Sequence, residues 1–219
     1  LDLPVVEGKF DGYVYDYGYC NEPNFWHQFK SFQERVDMFQ IPDENLMKLT
    51  TEGLSHTCMY YPLRMDVHAM HGIQFVNIVM SEWKYNGLRE LALRKHAPEA
   101  LLKLYENMKL SDPADIGVGL YYDNDIDGVW NMFDRNYLEM LLASAYFTPK
   151  MTDSQLDRLG EAIYDTTLEI LNRGIHSYLV GFAYPYCVLG RIILVKKERG
   201  LIELTNEEVE LLTAFMSLD

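Results

Sequence analysis

The chain has 219 residues, 48% of them hydrophobic and 24% charged, enough apolar material for folding to bury roughly 70% of the surface of the extended chain. That balance excludes an intrinsically disordered protein. A net charge of −14 with no Lys/Arg run denser than "VKKERG" excludes a nucleic-acid binder.

No uncharged apolar run reaches the ~20 residues needed to span a bilayer. The nearest, "SYLVGFAYPYCVLGRIILV", is interrupted by Pro185 and Arg191 and reads as buried core. The sequence begins "LDLPVV" without a methionine, which suits a processed protein or a trimmed chain. Residues 1–24 have a texture of their own. Tyr13, Tyr15, Tyr17 and Tyr19 recur with a period of two, which in an extended segment places four rings on one side. Gly12, Gly18 and Pro23 oppose a helix here. Two readings of this arm follow. Its rings pack onto a helical body, or Tyr13, Tyr15, Tyr17 and Trp26 form an aromatic platform for a sugar or peptide, since a ring offers a flat apolar face and tyrosine adds a polar tip.

From residue 25 the pattern turns helical. "FWHQFKSFQERVDMFQ" has apolar side chains near helical spacing, and "IPDENLMKLTTEGL" puts Pro42 where a first helical turn accepts it. In "RMDVHAMHG", His68 and His71 stand three apart on a helix face with Asp66 nearby. Two such nitrogens could hold zinc or iron for a metal-dependent hydrolase, with His56 or Cys58 as a third ligand, although the HExxH pattern is missing. "PEALLKLYENMKL" carries a stripe of Leu101, Leu104, Tyr105 and Met108.

"SDPADIGVGLYYDNDIDG" then breaks the helical texture. The acidic loop 111–128 joins possible subdomains 25–110 and 129–219 of a single helical domain, 25–219. Within "DNDIDGVWNMFD" lies the spacing of a calcium loop. Asp123, Asp125 and Asp127 take the early odd positions, Gly128 the bend, Val129 the backbone carbonyl, Asn131 a water-holding position and Asp134 the closing position. The stretch resembles an EF-hand loop, and its Asn131 and Asp134 resemble the dockerin variant. The competing reading is an acidic turn that caps and complements the dipole of the helix after it.

In "MTDSQLDRLGEAIYDTTLEILNRG", Thr152 and Gln155 form a capping-box pair. Leu156, Leu159, Ile163, Thr167, Ile170 and Leu171 make the stripe, and Gly174 can stop the helix. Val188 to Val195 is a β-branched run read as a buried helix, since no partner strand is evident. "TNEEVELLTAFMSL" repeats the capping device with Thr205 and Glu208. Cys20, Cys58 and Cys187 are far apart with no CxxC, which predicts buried thiols rather than a zinc knuckle or a disulfide framework.

One block resembles a known family. "IPDENLMKLTTEGLSHTCMYYPLRMDVHAM" and "KYNGLRELALRKHAPEALLKLYENM", about residues 41–108, are similar to uncharacterised exported helical proteins of Bacteroidetes. The matching positions are Thr51-Glu52-Gly53, Cys58, Tyr61-Pro62 and Asn86-Gly87-Leu88, with Tyr60 where the family has asparagine. The resemblance implies a mostly helical protein that is periplasmic, at the cell surface or extracellular, and it carries over no catalytic residue.

With no GxSxG elbow and no phosphate loop, the sequence is read as all-α, an irregular multi-helix array with an extended Tyr-rich N-terminal arm. The expected function is a non-catalytic exported binding or scaffold protein of the bacterial cell envelope, its partner a protein or glycan, with Ca2+ as a candidate stabilising ion.

Overall fold

A computed structural model of the chain describes residues 12–63, 84–107, 109–110, 129–130, 132–172 and 184–216. Among these residues the protein is all-α. Its helices are α1 Phe32–Met38, α2 Asp43–Leu46, α3 Thr51–Met59, α4 Asn86–Leu93, α5 Ala97–Asn107, α6 Met132–Ala143, α7 Asp153–Asn172, α8 Tyr184–Glu198 and α9 Asn206–Met216. One short parallel pairing joins β1, Lys109–Leu110, to β2, Val129–Trp130, with Lys109 opposite Val129.

Two expected helices are each broken in two, by side chains that satisfy backbone groups locally. Residues 25–40 form a 3-10 turn, Phe25–Gln28, and then α1. Ser31 starts α1 by accepting from Glu34 N at 3.2 Å, and the Glu34 carboxylate reaches back to Lys30 N at 2.7 Å. Residues 41–54 split into α2 and α3. Pro42 precedes α2, and Thr50 caps α3 by accepting from Gly53 N at 3.0 Å. Between them the buried Arg94 guanidinium donates to Leu49 O at 2.7 Å, taking up a carbonyl that a continuous helix would have used itself.

Helix α3 is buried along most of its length and packs against α4 and α5. Helix α5 meets α3 as well as α6 and α7, and α8 packs on α6, α7 and α9. One buried apolar cluster therefore runs from Tyr17 and Phe39 through Leu101 and Leu138 to Ile192, spanning the segments on either side of 111–128. The run Val188 to Val195 lies inside α8, where Val188, Ile192 and Val195 are buried at helical spacing. The predicted stripe of α7 is buried at Leu156, Leu159 and Ile163, and that of α5 at Leu101, Leu104 and Tyr105. Thr167, Ile170 and Leu171 have no described side chain, and Met108 and Gly174 lie outside the described residues.

Both capping boxes form. Gln155 N donates to Thr152 Oγ1 at 3.2 Å while Thr152 N donates to Gln155 Oε1 at 2.9 Å, and Thr205 with Glu208 does the same for α9. Arg158 of α7 forks across two carboxylates of α5, Glu99 at 3.0 Å and Glu106 at 2.7 Å. Burial pushes the Glu99 carboxyl up, but hydrogen bonds from Gln155 and Arg158 outweigh it and hold its pKa below the usual carboxylate range. Asp153 and Asp157 of α7 bind Arg199 and Lys196, tying the C-terminal end of α8 to α7. No described helix is long and apolar enough to cross a membrane.

Candidate functional site

The arm lies along α3, and glycine lets it do so. A Cβ on Gly53 would stand 2.5 Å from the Tyr13 carbonyl oxygen, so any larger residue would push the arm away. One turn further on, Thr57 Oγ1 accepts from Tyr15 N at 3.0 Å while donating to Gly53 O at 2.8 Å.

Tyr17 anchors the arm. It is only 5% exposed, and its oxygen lies 3.1 Å from Phe39 O and 2.8 Å from Tyr85 Oη. With one proton to give, it donates to the carbonyl and accepts from the Tyr85 hydroxyl. Burial drives the Tyr17 pKa far up despite the bond from Tyr85, so the group is a neutral hydrogen-bonding pin throughout the physiological range. Tyr85 in turn stacks on Tyr61, with ring centroids 4.0 Å apart and planes 9° apart.

The alternation of tyrosines is thus read by the fold as packing between neighbours: Tyr15 and Tyr17 meet edge to face at 5.0 Å. The four differ in depth, because the arm ends in a 3-10 turn at Gly18–Asn21 instead of remaining extended. Tyr13 is 39% exposed, and its hydroxyl accepts from Asn45 Nδ2 at 3.2 Å. Tyr15, Tyr19 and Trp26 are half-buried.

Around the arm forms an aromatic hub that the sequence reading did not anticipate. Phe39 is wholly buried, and the rings of Tyr17, Tyr19, Phe25, Trp26 and Phe29 surround it at 5.5 to 6.4 Å. All of these except Tyr17 are half-buried, so they leave ring surface open to solvent. The signal is the aromatic density of "FWHQFKSFQERVDMF", which by its spacing reads as a helical stripe.

Arg35 completes this face. Its Cζ lies 5.9 Å from the centre of the Trp26 ring, a cation–π distance. Among the described residues no carboxylate pairs with Arg35, and its Nε is buried without an acceptor. The neighbouring acids of α1 are engaged elsewhere, Glu34 with Lys30 N and Asp37 with Gln33 Nε2 at 2.8 Å.

The other candidate residues are placed as follows. His56 is half-buried on α3, where burial lowers its pKa against the opposing pull of Glu52, and Cys58 is fully buried near the hydroxyls of Tyr17 and Tyr85. Cys20 is buried as well. Cys187 has no described side chain. His68 and His71 lie outside the described residues, as do Asp123, Asp125, Asp127, Gly128 and Asn131. Val129 is the first residue of β2, and Asp134 falls in the first turn of α6. Among the described residues no group of three or more His, Cys, Asp or Glu could hold a metal ion.

In comparisons with protein-family models, curated proteins and solved structures, none matches this chain.

Proposed function

We propose that this chain is a non-catalytic exported binding or scaffold protein of a bacterial cell envelope, and that it binds through the half-open aromatic face around Phe39. The carrying observation is the cluster of partly open rings around Phe39. Tyr19, Phe25, Trp26 and Phe29 are partly open and held by packing on the wholly buried ring of Phe39, and the partly open Tyr15 packs on Tyr17. Rings fixed in this way lose little freedom when a ligand arrives, which favours recognition. The envelope location rests on the resemblance of residues 41–108 to exported helical proteins of Bacteroidetes. Bound calcium is a stabilising accessory in this reading, held by residues 123–134, whose last members lead into α6 as a calcium loop leads into its helix.

A glycan is the favoured partner. Partly open indole and phenol rings suit the C–H face of a pyranose, and here Trp26 and Tyr15 would form the platform, with Tyr13 at its margin and Tyr17 as its buried anchor. The test is a panel of immobilised glycans and peptides probed with the wild-type chain and Trp26→Ala. Binding to at least one glycan that the variant loses, with its melting temperature preserved, is the expected result. A panel on which the two chains are indistinguishable would overturn the reading.

A further inference from the structure

We infer that Asn86 is a self-modification site: the native fold protects this asparagine, and opening of the chain at this point exposes it to an irreversible deamidation that bars return to the native structure.

The sequence contains a single Asn-Gly pair, Asn86-Gly87, and the structure shows why both residues stand there. The Asn86 side chain accepts from Ile41 N at 2.9 Å through Oδ1 and donates to Ile41 O at 2.7 Å through Nδ2. Its backbone N–H donates to Gln40 Oε1 at 2.9 Å. Only an amide side chain offers a donor and an acceptor side by side in this way. Gly87 is buried, and a Cβ there would stand 2.5 Å from Cζ of Tyr85. That ring has no room to yield, because it is wholly buried, stacked on Tyr61 at 4.0 Å and bonded to the Tyr17 hydroxyl at 2.8 Å.

Packing thus places in succession two residues that react with each other. The backbone nitrogen of a glycine, with no Cβ beside it, reaches the side-chain carbon of a preceding asparagine with little hindrance. On losing its proton, Gly87 N attacks Asn86 Cγ. A new C–N bond closes a five-membered succinimide, and Nδ2 leaves as ammonia. Water then opens the ring at one carbonyl or the other, giving aspartate or an isoaspartate whose main chain is longer by one methylene. Water is the only co-reactant, and no electrons are exchanged.

The native contacts oppose the first step. Cγ cannot swing toward Gly87 N while Oδ1 and Nδ2 are both bonded to Ile41, and the pair begins α4, whose helical dihedrals hold the backbone away from ring closure. The rate therefore follows the population of the locally opened chain. Return is then blocked. An ionised aspartate is an acceptor only, so one of its oxygens would face Ile41 O where a donor stood, and isoaspartate would lengthen the chain at the start of α4. Either product loosens the backbone two residues beyond Phe39 and the ring of Tyr85 beside it, and the opened chain becomes a chemical end state.

The test is incubation of the full chain at mildly alkaline pH, folded and in guanidinium chloride. The peptide holding Asn86 is followed by mass spectrometry, and isoaspartate by enzymatic methyl transfer. In denaturant Asn86 should react faster than every other asparagine and at least about tenfold faster than in the folded chain, the factor set by an opening cost of about 1.4 kcal/mol. After the denaturant is removed, the modified fraction should melt lower by roughly 2–4 °C for each hydrogen bond lost, or fail to refold. Asn86→Asp, made directly, should show the same loss. Equal rates in the folded and unfolded chain would overturn the protection. A rate at Asn86 no greater than at the other asparagines of the unfolded chain would overturn the site, and a modified fraction that refolds with an unchanged melting temperature would overturn the irreversibility. All three readouts use the wild-type chain, so none depends on a variant that folds.

Discussion

Replacing Gly53 by alanine separates two opposed effects at one atom. In the interior of a helix, glycine to alanine ordinarily stabilises by about 0.5–1 kcal/mol, because glycine loses more backbone freedom on folding. At Gly53 the new Cβ would stand 2.5 Å from the Tyr13 carbonyl oxygen, against an ordinary closest C···O approach of about 3.3 Å. The arm must then retreat by roughly 0.8 Å. That carries the Tyr15 N to Thr57 Oγ1 contact, 3.0 Å in the native chain, beyond the limit of a useful hydrogen bond. It also pulls on Tyr17, whose oxygen bridges Phe39 and Tyr85. A lost hydrogen bond of about 1 kcal/mol and an overpacking cost of about 1–3 kcal/mol exceed the gain in propensity. Gly53→Ala should therefore destabilise by roughly 1–3 kcal/mol in urea or guanidinium unfolding. Gly160→Ala in α7 is the matched control. Nothing lies within 4 Å of its Cβ position, so it should stabilise by about 0.5–1 kcal/mol. A Gly53→Ala chain as stable as Gly160→Ala would refute the docking of the arm on α3.

Further outcomes follow from other contacts. Tyr17→Phe keeps the ring and removes the oxygen between Phe39 O and Tyr85 Oη, so it should cost about 1–3 kcal/mol and speed labelling of the buried Cys58 thiol by a maleimide. Arg158→Gln should cost up to about 1 kcal/mol at neutral pH, because the fork on Glu99 and Glu106 is partly exposed and screened. Glu99 has a folded pKa below the ordinary 4.5, so its contribution is complete above that pH and is lost as pH falls through the lowered value. The acid limb of the stability profile should accordingly flatten in Arg158→Gln. His56 has the opposite chemistry. Burial lowers its pKa from 6.5, so the unfolded chain takes up the proton first and stability should decline as pH falls below 6.5, less so in His56→Gln. For residues 123–134, ~5 mM calcium should raise the melting temperature of the wild-type chain and leave that of Asp125→Ala unmoved, since a ligand bound only by the folded state stabilises it. No shift in the wild type would reduce the loop to an acidic cap.

The sequence disclosed what local chemistry decides. Thr152 with Gln155 and Thr205 with Glu208 are pairs three residues apart whose geometry needs nothing beyond one helical turn, and both form as read. The breaks in the helical pattern at residues 29–31 and 47–50 escaped because their signals were weaker than the apolar spacing across them. Ser31 and Thr50 are caps, but the carbonyl of Leu49 is freed for a bond from Arg94, 45 positions away. Long-range partners of this kind leave no trace in a window of the sequence. The candidate site divides in the same way. That tyrosines alternate is legible; that Tyr17 is the deep one depends on Phe39 and Tyr85, and that Arg35 stands beside Trp26 depends on where the 3-10 turn ends and α1 begins.

The stack of Tyr61 on Tyr85 closes the chain on itself. The two rings lie 4.0 Å apart, and the neighbouring Asn86 side chain holds the backbone of Ile41 through bonds of 2.9 and 2.7 Å. Two side-chain contacts, a ring stack and an amide staple, thus bring together positions 24 and 45 residues apart in the chain. Closure entropy grows only with the logarithm of length, about 0.6 kcal/mol for each doubling. A change of length between Tyr61 and Tyr85 would therefore alter the cost of bringing the two rings together by only a fraction of a kcal/mol.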